Sequence, residues 1–229
     1  MIVAAAVCPH PPLLFPELAG AAAAELDELR AACAAAVGRL AEAAPETVVV
    51  VGGAETAGSY GPAAAGTLAP WGVDARAGAG EPILPLSLTV GRRLLEAGGL
   101  TASAFHAVPF DASPEECAAL GADLAAGDAR AALLVMADGS ACLTEKAPGY
   151  LDPRAEPYNA AIVGALARGG APELDPGEAA GLWVAGRAAL TVLAGAGAGA
   201  GAGGPFRGEI LYDDAPYGVG YFVALLTGA

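Results

Sequence analysis

The sequence predicts an α/β protein, a three-layer sandwich with a mostly parallel central sheet and helices on both faces. Apolar runs at residues 2–7, 47–51 and 131–136 are short and bounded by turn signals, as buried strands are. Segments with helical spacing of apolar residues lie between these runs, and this alternation is typical of βαβ units. Because no repeat or linker divides residues 1–229, we expect one domain.

The first half of the chain contains the clearest of these signals. Prolines in Cys8-Pro9-His10-Pro11-Pro12 exclude a helix directly after the first strand. Apolar residues from Leu18 to Leu40 fall at helical spacing, which predicts an amphipathic helix that ends before Pro45. Residues 47–51 are polar on neither face, so we expect a central strand that Gly52-Gly53 ends.

The second half continues the alternation and adds cap signals. Ser113 with Pro114 and Glu116 predicts a capped helix start, and Asp175 with Glu178 repeats that pattern. The other expected elements are helices at 86–97, 154–168 and 178–194, a strand at 102–108, a flexible loop at 195–204, and strands at 209–212 and 219–226. The final two strands are expected to pair antiparallel at one edge of the sheet.

Composition excludes several functional classes. The net charge is −14, and the 11 Lys and Arg residues never cluster, so we expect no nucleic-acid partner. The opening apolar run is too short for a signal peptide, and no segment has a bilayer-spanning composition, so the expected location is cytoplasmic. The four cysteines (Cys8, Cys33, Cys117 and Cys142) lack C-x-x-C spacing and are expected to be reduced core residues.

Three polar loops follow predicted central strands, at residues 8–12, 52–60 and 137–150. Functional groups in such sheets gather beyond the strand ends, so these loops are expected to converge on one cleft. His10 stands in the most rigid of them, where a neutral imidazole serves as a metal ligand or general base. A histidine that only hydrogen-bonds the loop backbone is the alternative.

Several of these stretches carry a family resemblance. They are Cys8-Pro9-His10-Pro11-Pro12 after an apolar strand, the run at 47–51, the segment at 108–111, Ala137-Asp138-Gly139-Ser140, residues 144–157 and residues 211–222. Through them the chain resembles the LigB-like superfamily, the catalytic chains of class III extradiol ring-cleavage dioxygenases, in particular members of unassigned activity. The resemblance implies the LigB-like three-layer α/β fold and an oxygen-dependent opening of an aromatic ring. It also implies a homodimer or a small second chain as partner.

The resemblance further implies Fe(II), held by two histidines and a carboxylate, with His10 as the first ligand. The chain has one other histidine, His106, which lies inside a predicted strand and is expected to be structural. Ala112 and Ala141 occupy two places where the family pattern has histidine. A mixed site of His10, Glu55 and an aspartate from 213–214 is the metal-binding hypothesis that remains.

Two further groups of polar residues are candidates for ligand contact. Asp138, Ser140 and Lys146 place an acid, a hydroxyl and a cation at a strand end, either as a catalytic pocket or as an ordinary turn. The substrate-binding candidates form either a cleft wall or a rigid hairpin turn; they are Tyr150, Asp213, Asp214 and Tyr217.

Three functions remain open on these residues. The first is an iron-dependent ring-opening dioxygenase that acts on a small aromatic molecule. The second is a metal-free pseudoenzyme that binds a small molecule or a protein. The third is a different activity, such as hydrolysis, built on His10, Asp138, Ser140 and Asp213. The small number of histidines favours the second and third over the first.

Overall fold

The computed structural model describes residues 1–127, 129–199 and 206–228 and shows a seven-stranded sheet of order β3-β6-β2-β7-β1-β9-β8. The strands are β1 (Ile2–Cys8), β2 (Thr47–Ala54), β3 (Gly58–Tyr60), β4 (Gly66–Thr67), β5 (Arg76–Ala77), β6 (Ala104–Pro109), β7 (Ala131–Met136), β8 (Phe206–Asp214) and β9 (Tyr221–Gly228). β4 and β5 form a separate two-stranded ribbon.

The centre of the sheet is parallel, as predicted. β6, β2, β7 and β1 run side by side in one direction, and Val7, Val135 and Val51 lie at the same level. β3 pairs antiparallel with β6 at one edge. At the other edge β9 pairs antiparallel with both β1 and β8, which confirms the predicted antiparallel pair.

Helices pack against both faces of this sheet. They are α1 (Pro16–Ala19), α2 (Asp27–Glu42), α3 (Leu86–Ala97), α4 (Pro114–Ala125), α5 (Ala155–Ala167), α6 (Pro176–Gly181) and α7 (Arg187–Gly199). α2 and α3 pack against the face that carries Ala4, Ala6 and Cys8. α4, α5 and α7 pack against the opposite face, which carries Ala5 and Val7. This alternation along β1 follows from the two-residue period of a strand.

The direction in which the chain leaves two neighbouring strands determines where a site can form. After β1 the chain passes to α2 on one face, whereas after β7 it passes to α5 on the other face. Adjacent parallel strands whose connections diverge in this way leave a crevice beyond their carboxyl ends. His10 and Asp138 follow these two strand ends.

One predicted strand bound was wrong for a reason of packing. β2 continues through Gly52-Gly53 to Ala54, because these glycines allow close approach rather than a turn. A Cβ on Gly52 would lie 2.5 Å from the Ser87 hydroxyl, and one on Gly53 would lie 2.6 Å from the Phe110 ring.

Helix bounds differ in three further places. Residues 20–26 form a 3₁₀ helix, so the helix predicted from Leu18 begins as an α-helix at Asp27. The helix expected at 178–194 is broken after Gly181 and restarts at Arg187, because Trp183 adopts a left-handed backbone with φ of 53°. Residues 195–199, expected in a loop, belong to α7, and 200–204 lie outside the described residues.

The structure confirms the expectation that the cysteines are reduced core residues. All four are buried and unpaired, with Cys8 and Cys33 on the α2 side of the sheet and Cys117 and Cys142 on the α7 side. In the described parts of the chain, no helix combines the length and apolar character needed to span a bilayer.

Candidate functional site

His10 and Asp138 meet at the crevice between β1 and β7. The backbone N–H of His10 donates to Asp138 Oδ1 at 2.7 Å, and the His10 Nδ1 atom lies 3.6 Å from the same oxygen. Prolines on both sides of His10 restrict its backbone, so the imidazole is presented at low entropic cost. The structure therefore brings together two of the three loops that were predicted to converge.

This pair lies in a shielded environment. The His10 side chain is 6% exposed and that of Asp138 is 13% exposed. Within the described residues, His10 Nδ1 is buried without a hydrogen-bond partner. Burial raises the pKa of Asp138, and the neighbouring His10 partly offsets this effect. Burial, and secondarily the charge of Asp138, also raises the pKa of Tyr221, so that phenol stays protonated beside the pair.

The loop that carries Asp138 is fastened to its neighbours by backbone hydrogen bonds. Gly139 N–H donates to the Gly220 carbonyl, and Gly220 N–H donates to the Ser140 carbonyl, each at 2.8 Å. Asn159 accepts the Ser140 N–H at 2.9 Å and packs directly on Gly139 and Gly220, where a side chain would collide with it. Asp138 is thus positioned by a rigid strand end.

Ser140 has a structural environment rather than an open one. Its side chain is fully buried, its Oγ donates to the Leu182 carbonyl at 2.7 Å, and the same Oγ accepts the Cys142 N–H at 3.1 Å. These contacts connect the loop after β7 to the end of α6. The Ser140 hydroxyl, which was predicted as catalytic, therefore makes structural hydrogen bonds within the protein. The hydrolytic alternative lacks an accessible nucleophile at this position.

The other residues that were predicted to contact a ligand are spread around the crevice. Lys146 and Tyr150 are exposed, Tyr150 to 75%, and Asp213 and Asp214 are exposed residues of β8 rather than of a turn. The Tyr217 hydroxyl donates to Glu25 Oε2 at 2.9 Å. In the part of the chain that the structure describes, no hydrogen bond or ion pair joins any of them to His10 or Asp138.

The residues present do not fit the iron site that the resemblance implies. Glu55 is exposed beyond β2, and β7 lies between β2 and β1, so the axes of the strands that precede Glu55 and His10 are about 10 Å apart. His106 lies in β6, with its Nδ1 atom 3.1 Å from the Ser59 hydroxyl. Among the described residues there is no group of three His, Cys, Asp or Glu side chains that could hold a metal ion. The mixed site of His10, Glu55 and an aspartate from 213–214 is thus not assembled.

A pocket that sequence reasoning missed lies beside the crevice, between α6, the start of α7 and the end of β6. It has a volume of about 550 Å³, and its lining includes Phe110, Trp183 and Arg187. The sequence contained one signal for it, since Arg187 is the only charged residue in the apolar segment 179–199. The backbone of Trp183, which shapes the pocket, has the left-handed conformation of a helix end that glycine usually supplies, so the sequence had no such signal for it.

Comparisons with known proteins bear on the fold alone. No family model matches the chain, and no curated protein sequence matches it. The crystal structure of an uncharacterized protein, JW3007 from Escherichia coli K12, is similar, with a TM-score of 0.60 and 14% sequence identity. The similarity covers 99% of this chain and 100% of that chain. At this identity it shows that the two chains share a fold.

Proposed function

We propose that the protein is a small-molecule-binding member of the LigB-like superfamily of extradiol dioxygenases, and that its His10–Asp138 pair receives a hydroxylated aromatic ligand. The observation that carries this proposal is the buried, unpartnered Nδ1 of His10, 3.6 Å from the Asp138 carboxylate. Burying polar groups without partners is costly, and such cost is tolerated mainly where function requires it.

The fold supports this assignment at a coarse level. Helices on both faces of a mostly parallel sheet are compatible with the three-layer LigB-like sandwich. The pair also stands beyond the carboxyl ends of adjacent parallel strands, which is where sheets of this type bind their ligands.

The pair has the parts of an acid–base element. A ligand hydroxyl that donates to the imidazole of His10 transfers part or all of its proton to the ring, and Asp138 compensates the charge that develops. The Asp138 carboxylate lies 3.6 Å from His10 Nδ1, close enough for this electrostatic compensation. No step of this proposal passes through a metal.

Calorimetric titration with catechol and with 1,2-dimethoxybenzene tests the proposal, since methylation removes the hydroxyl hydrogens and leaves the ring and its oxygens in place. We expect catechol to bind the wild type, and the dimethoxy compound and the His10→Gln variant to show at least tenfold weaker binding. The matched control is His106→Gln, which removes the other histidine and should leave catechol affinity unchanged. Equal affinity of the wild type and His10→Gln for catechol would overturn the proposal.

The ring-opening activity with Fe(II) that the resemblance implies is distinguished by a second measurement. Oxygen uptake with catechols after anaerobic Fe(II) loading is expected to equal the protein-free rate, because the described residues do not supply the family's set of ligands. A coloured ring-cleavage product that forms only with the protein would show that the protein catalyses ring opening, in place of the proposed binding role. The homodimer that the resemblance implies is tested by light scattering in solution.

A further inference from the structure

The pocket beside the crevice has the dimensions and walls of a small-molecule site. Its volume of about 550 Å³ lies within the range of ligand pockets in proteins, and its lining is mainly apolar. Phe110, Pro176, Ala180, Trp183 and Val184 form the walls. The aromatic residues Phe110 and Trp183 are 41% and 58% exposed, so both present apolar surface at the opening.

Arg187 is the cationic group among the described residues that line this pocket. It is 2% exposed, and its Nη2 donates to the Phe110 carbonyl at 2.9 Å and to the Ala112 carbonyl at 2.5 Å. Its Nη1 is buried without a partner, and within residues 1–127, 129–199 and 206–228 no carboxylate lies within ion-pair distance. A buried guanidinium that has only neutral partners is costly, and an anion would stabilise it.

A neighbouring ionisable side chain, Cys117, does not neutralise this charge. Burial raises the pKa of the Cys117 thiol, while Arg187 acts in the opposite direction, and the net effect is an increase. Cys117 therefore remains a neutral thiol beside the guanidinium at physiological pH.

Trp183 lines the pocket at the end of α6. It has a φ of 53°, in the left-handed region that is unfavourable for a bulky side chain. This backbone turns the indole outward at the pocket instead of into the core. The conformation ends α6, where the Trp183 N–H donates to the Ala180 carbonyl at 3.2 Å and the Val184 N–H donates to the Ala179 carbonyl at 2.9 Å.

The charges around the pocket restrict the ligand class. Asp111 also lines the pocket and is exposed, and the chain carries a net charge of −14. Both disfavour a multiply charged anion such as a phosphate ester. A single carboxylate satisfies the one guanidinium, whereas the walls require an apolar body.

We propose that this pocket binds a small monocarboxylate with an apolar acyl or aryl body, whose carboxylate pairs with Arg187 and whose body lies between Phe110 and Trp183. The site is separate from the His10–Asp138 pair: the pocket lining includes neither residue. Between them runs the segment before α7, where Gly186 N–H donates to the Asp138 carbonyl at 2.9 Å.

Tryptophan fluorescence provides a direct test, because the chain has two tryptophans, Trp71 and Trp183. In a Trp71→Phe background Trp183 becomes the only reporter of binding. We titrate 4-phenylbutyrate, its primary amide and phenyl phosphate as probes. The expected result is a saturable change in Trp183 emission with 4-phenylbutyrate and at least tenfold weaker binding of the amide and the phosphate.

Substitutions then test whether the preference for the acid over the amide depends on the charge of Arg187. Arg187→Met should abolish the preference for the acid over the amide, with circular dichroism as the check that the variant folds. Asp111→Asn should strengthen carboxylate binding about threefold, and this variant keeps the test decisive if Arg187→Met does not fold. Arg207→Gln, which removes an exposed cation outside the pocket, is the matched control and should change neither affinity. Equal binding of acid and amide, or absence of binding, would overturn the proposal.

Discussion

Asp138 is a carboxylate held in an environment that disfavours its charge. Its pKa is raised because burial outweighs the stabilising effect of His10. A group whose pKa is higher in the folded than in the unfolded protein contributes stability at pH values below its unfolded pKa, and loses that contribution as the pH rises through the folded pKa. Because neutral pH lies above the unfolded pKa, burying Asp138 lowers the free energy of unfolding there relative to acid pH.

Replacing Asp138 by Asn is expected to raise the melting temperature at pH 7 by roughly 2–4 °C, the change that about 1 kcal/mol produces in a chain of this size. The amide oxygen can still accept the His10 N–H, so the backbone contact is kept. Calorimetry at pH 7 and pH 4 checks this, and the gain should shrink at the lower pH. The control Asp123→Asn removes an equal charge from the exposed side of α4. A melting temperature at pH 7 below that of this control contradicts the prediction.

Individual residues show what sequence reasoning can and cannot reach. The position of His10 just beyond β1 could be predicted, because prolines exclude a helix there and a strand precedes it. The role of Ser140 could not, because its hydroxyl bonds to Leu182, 42 residues away. Gly52 and Gly53 had a turn-like pattern, although their function is to let Ser87 and Phe110 approach the sheet. Such long-range contacts leave no local pattern.

At the scale of elements, local signals gave the best predictions. α3 has the predicted bounds, and the Ser113 signal corresponds to a complete capping box at the start of α4. The break between α6 and α7 was missed because the left-handed residue that ends α6 is Trp183, whereas glycine is the usual sequence signal for such a helix end. The proposed carboxylate pocket lies at that break, so it was missed for the same reason.

The cap of α4 should contribute measurably to stability. Ser113 Oγ accepts the Glu116 N–H at 3.2 Å, and Glu116 Oε2 accepts the Ser113 N–H at 2.9 Å. Ser113→Ala is expected to lower the free energy of unfolding by about 1 kcal/mol, as for other lost N-caps. Urea titration checks this, with Glu115→Gln as the control, since that acid lies in the same turn outside the box. An unchanged midpoint for Ser113→Ala would show that the cap is dispensable.

α4 and α7 pack closely because glycine is present on both helices. A Cβ on Gly121 would collide with the backbone of Val192 and Ala196, and one on Gly195 would collide with the backbone of Ala118. Gly121→Ala is therefore expected to destabilise the protein by about 1–3 kcal/mol, the usual cost of overpacking.

Gly38→Ala is the matched comparison for Gly121→Ala. Gly38 lies inside α2 with open space around its Cα, so alanine there should stabilise the protein by up to about 1 kcal/mol through helix propensity. Urea titration of both variants compares the two positions. Equal effects of the two substitutions would mean that the helix crossing relaxes without cost.

For the whole molecule, the mostly parallel α/β architecture could be predicted, because it depends on the alternation of apolar patterns along the chain. The strand order could not, since it arises from pairings such as Val7 with Val135 that connect distant segments. The iron site implied by the resemblance also depends on contacts between distant segments of the chain. It requires side chains from distant segments to meet, and among the described residues no three His, Cys, Asp or Glu side chains form such a group.

The closed core predicts the reactivity of the cysteines. All four thiols are buried and unpaired, on both sides of the sheet. We expect no rapid reaction of the native protein with Ellman's reagent and the titration of all four thiols once the protein is unfolded in guanidinium chloride. Stopped-flow absorbance measures the reaction of the thiols in the native protein and in the unfolded protein. A thiol that reacts within seconds under native conditions would indicate an opening of the core that the structure does not contain.

The position of β1 in the sheet has a consequence for biosynthesis. This strand pairs with β7, whose residues follow about 130 positions later, and with β9, whose residues follow about 220 positions later. At a synthesis rate of roughly 5–20 residues per second, the strand waits on the order of ten seconds or more for its second neighbour. During that interval the edge that later pairs with β9 exposes unpaired N–H and C=O groups to other chains. The nascent protein is therefore expected to depend on the ribosome exit region and on chaperones until β9 emerges.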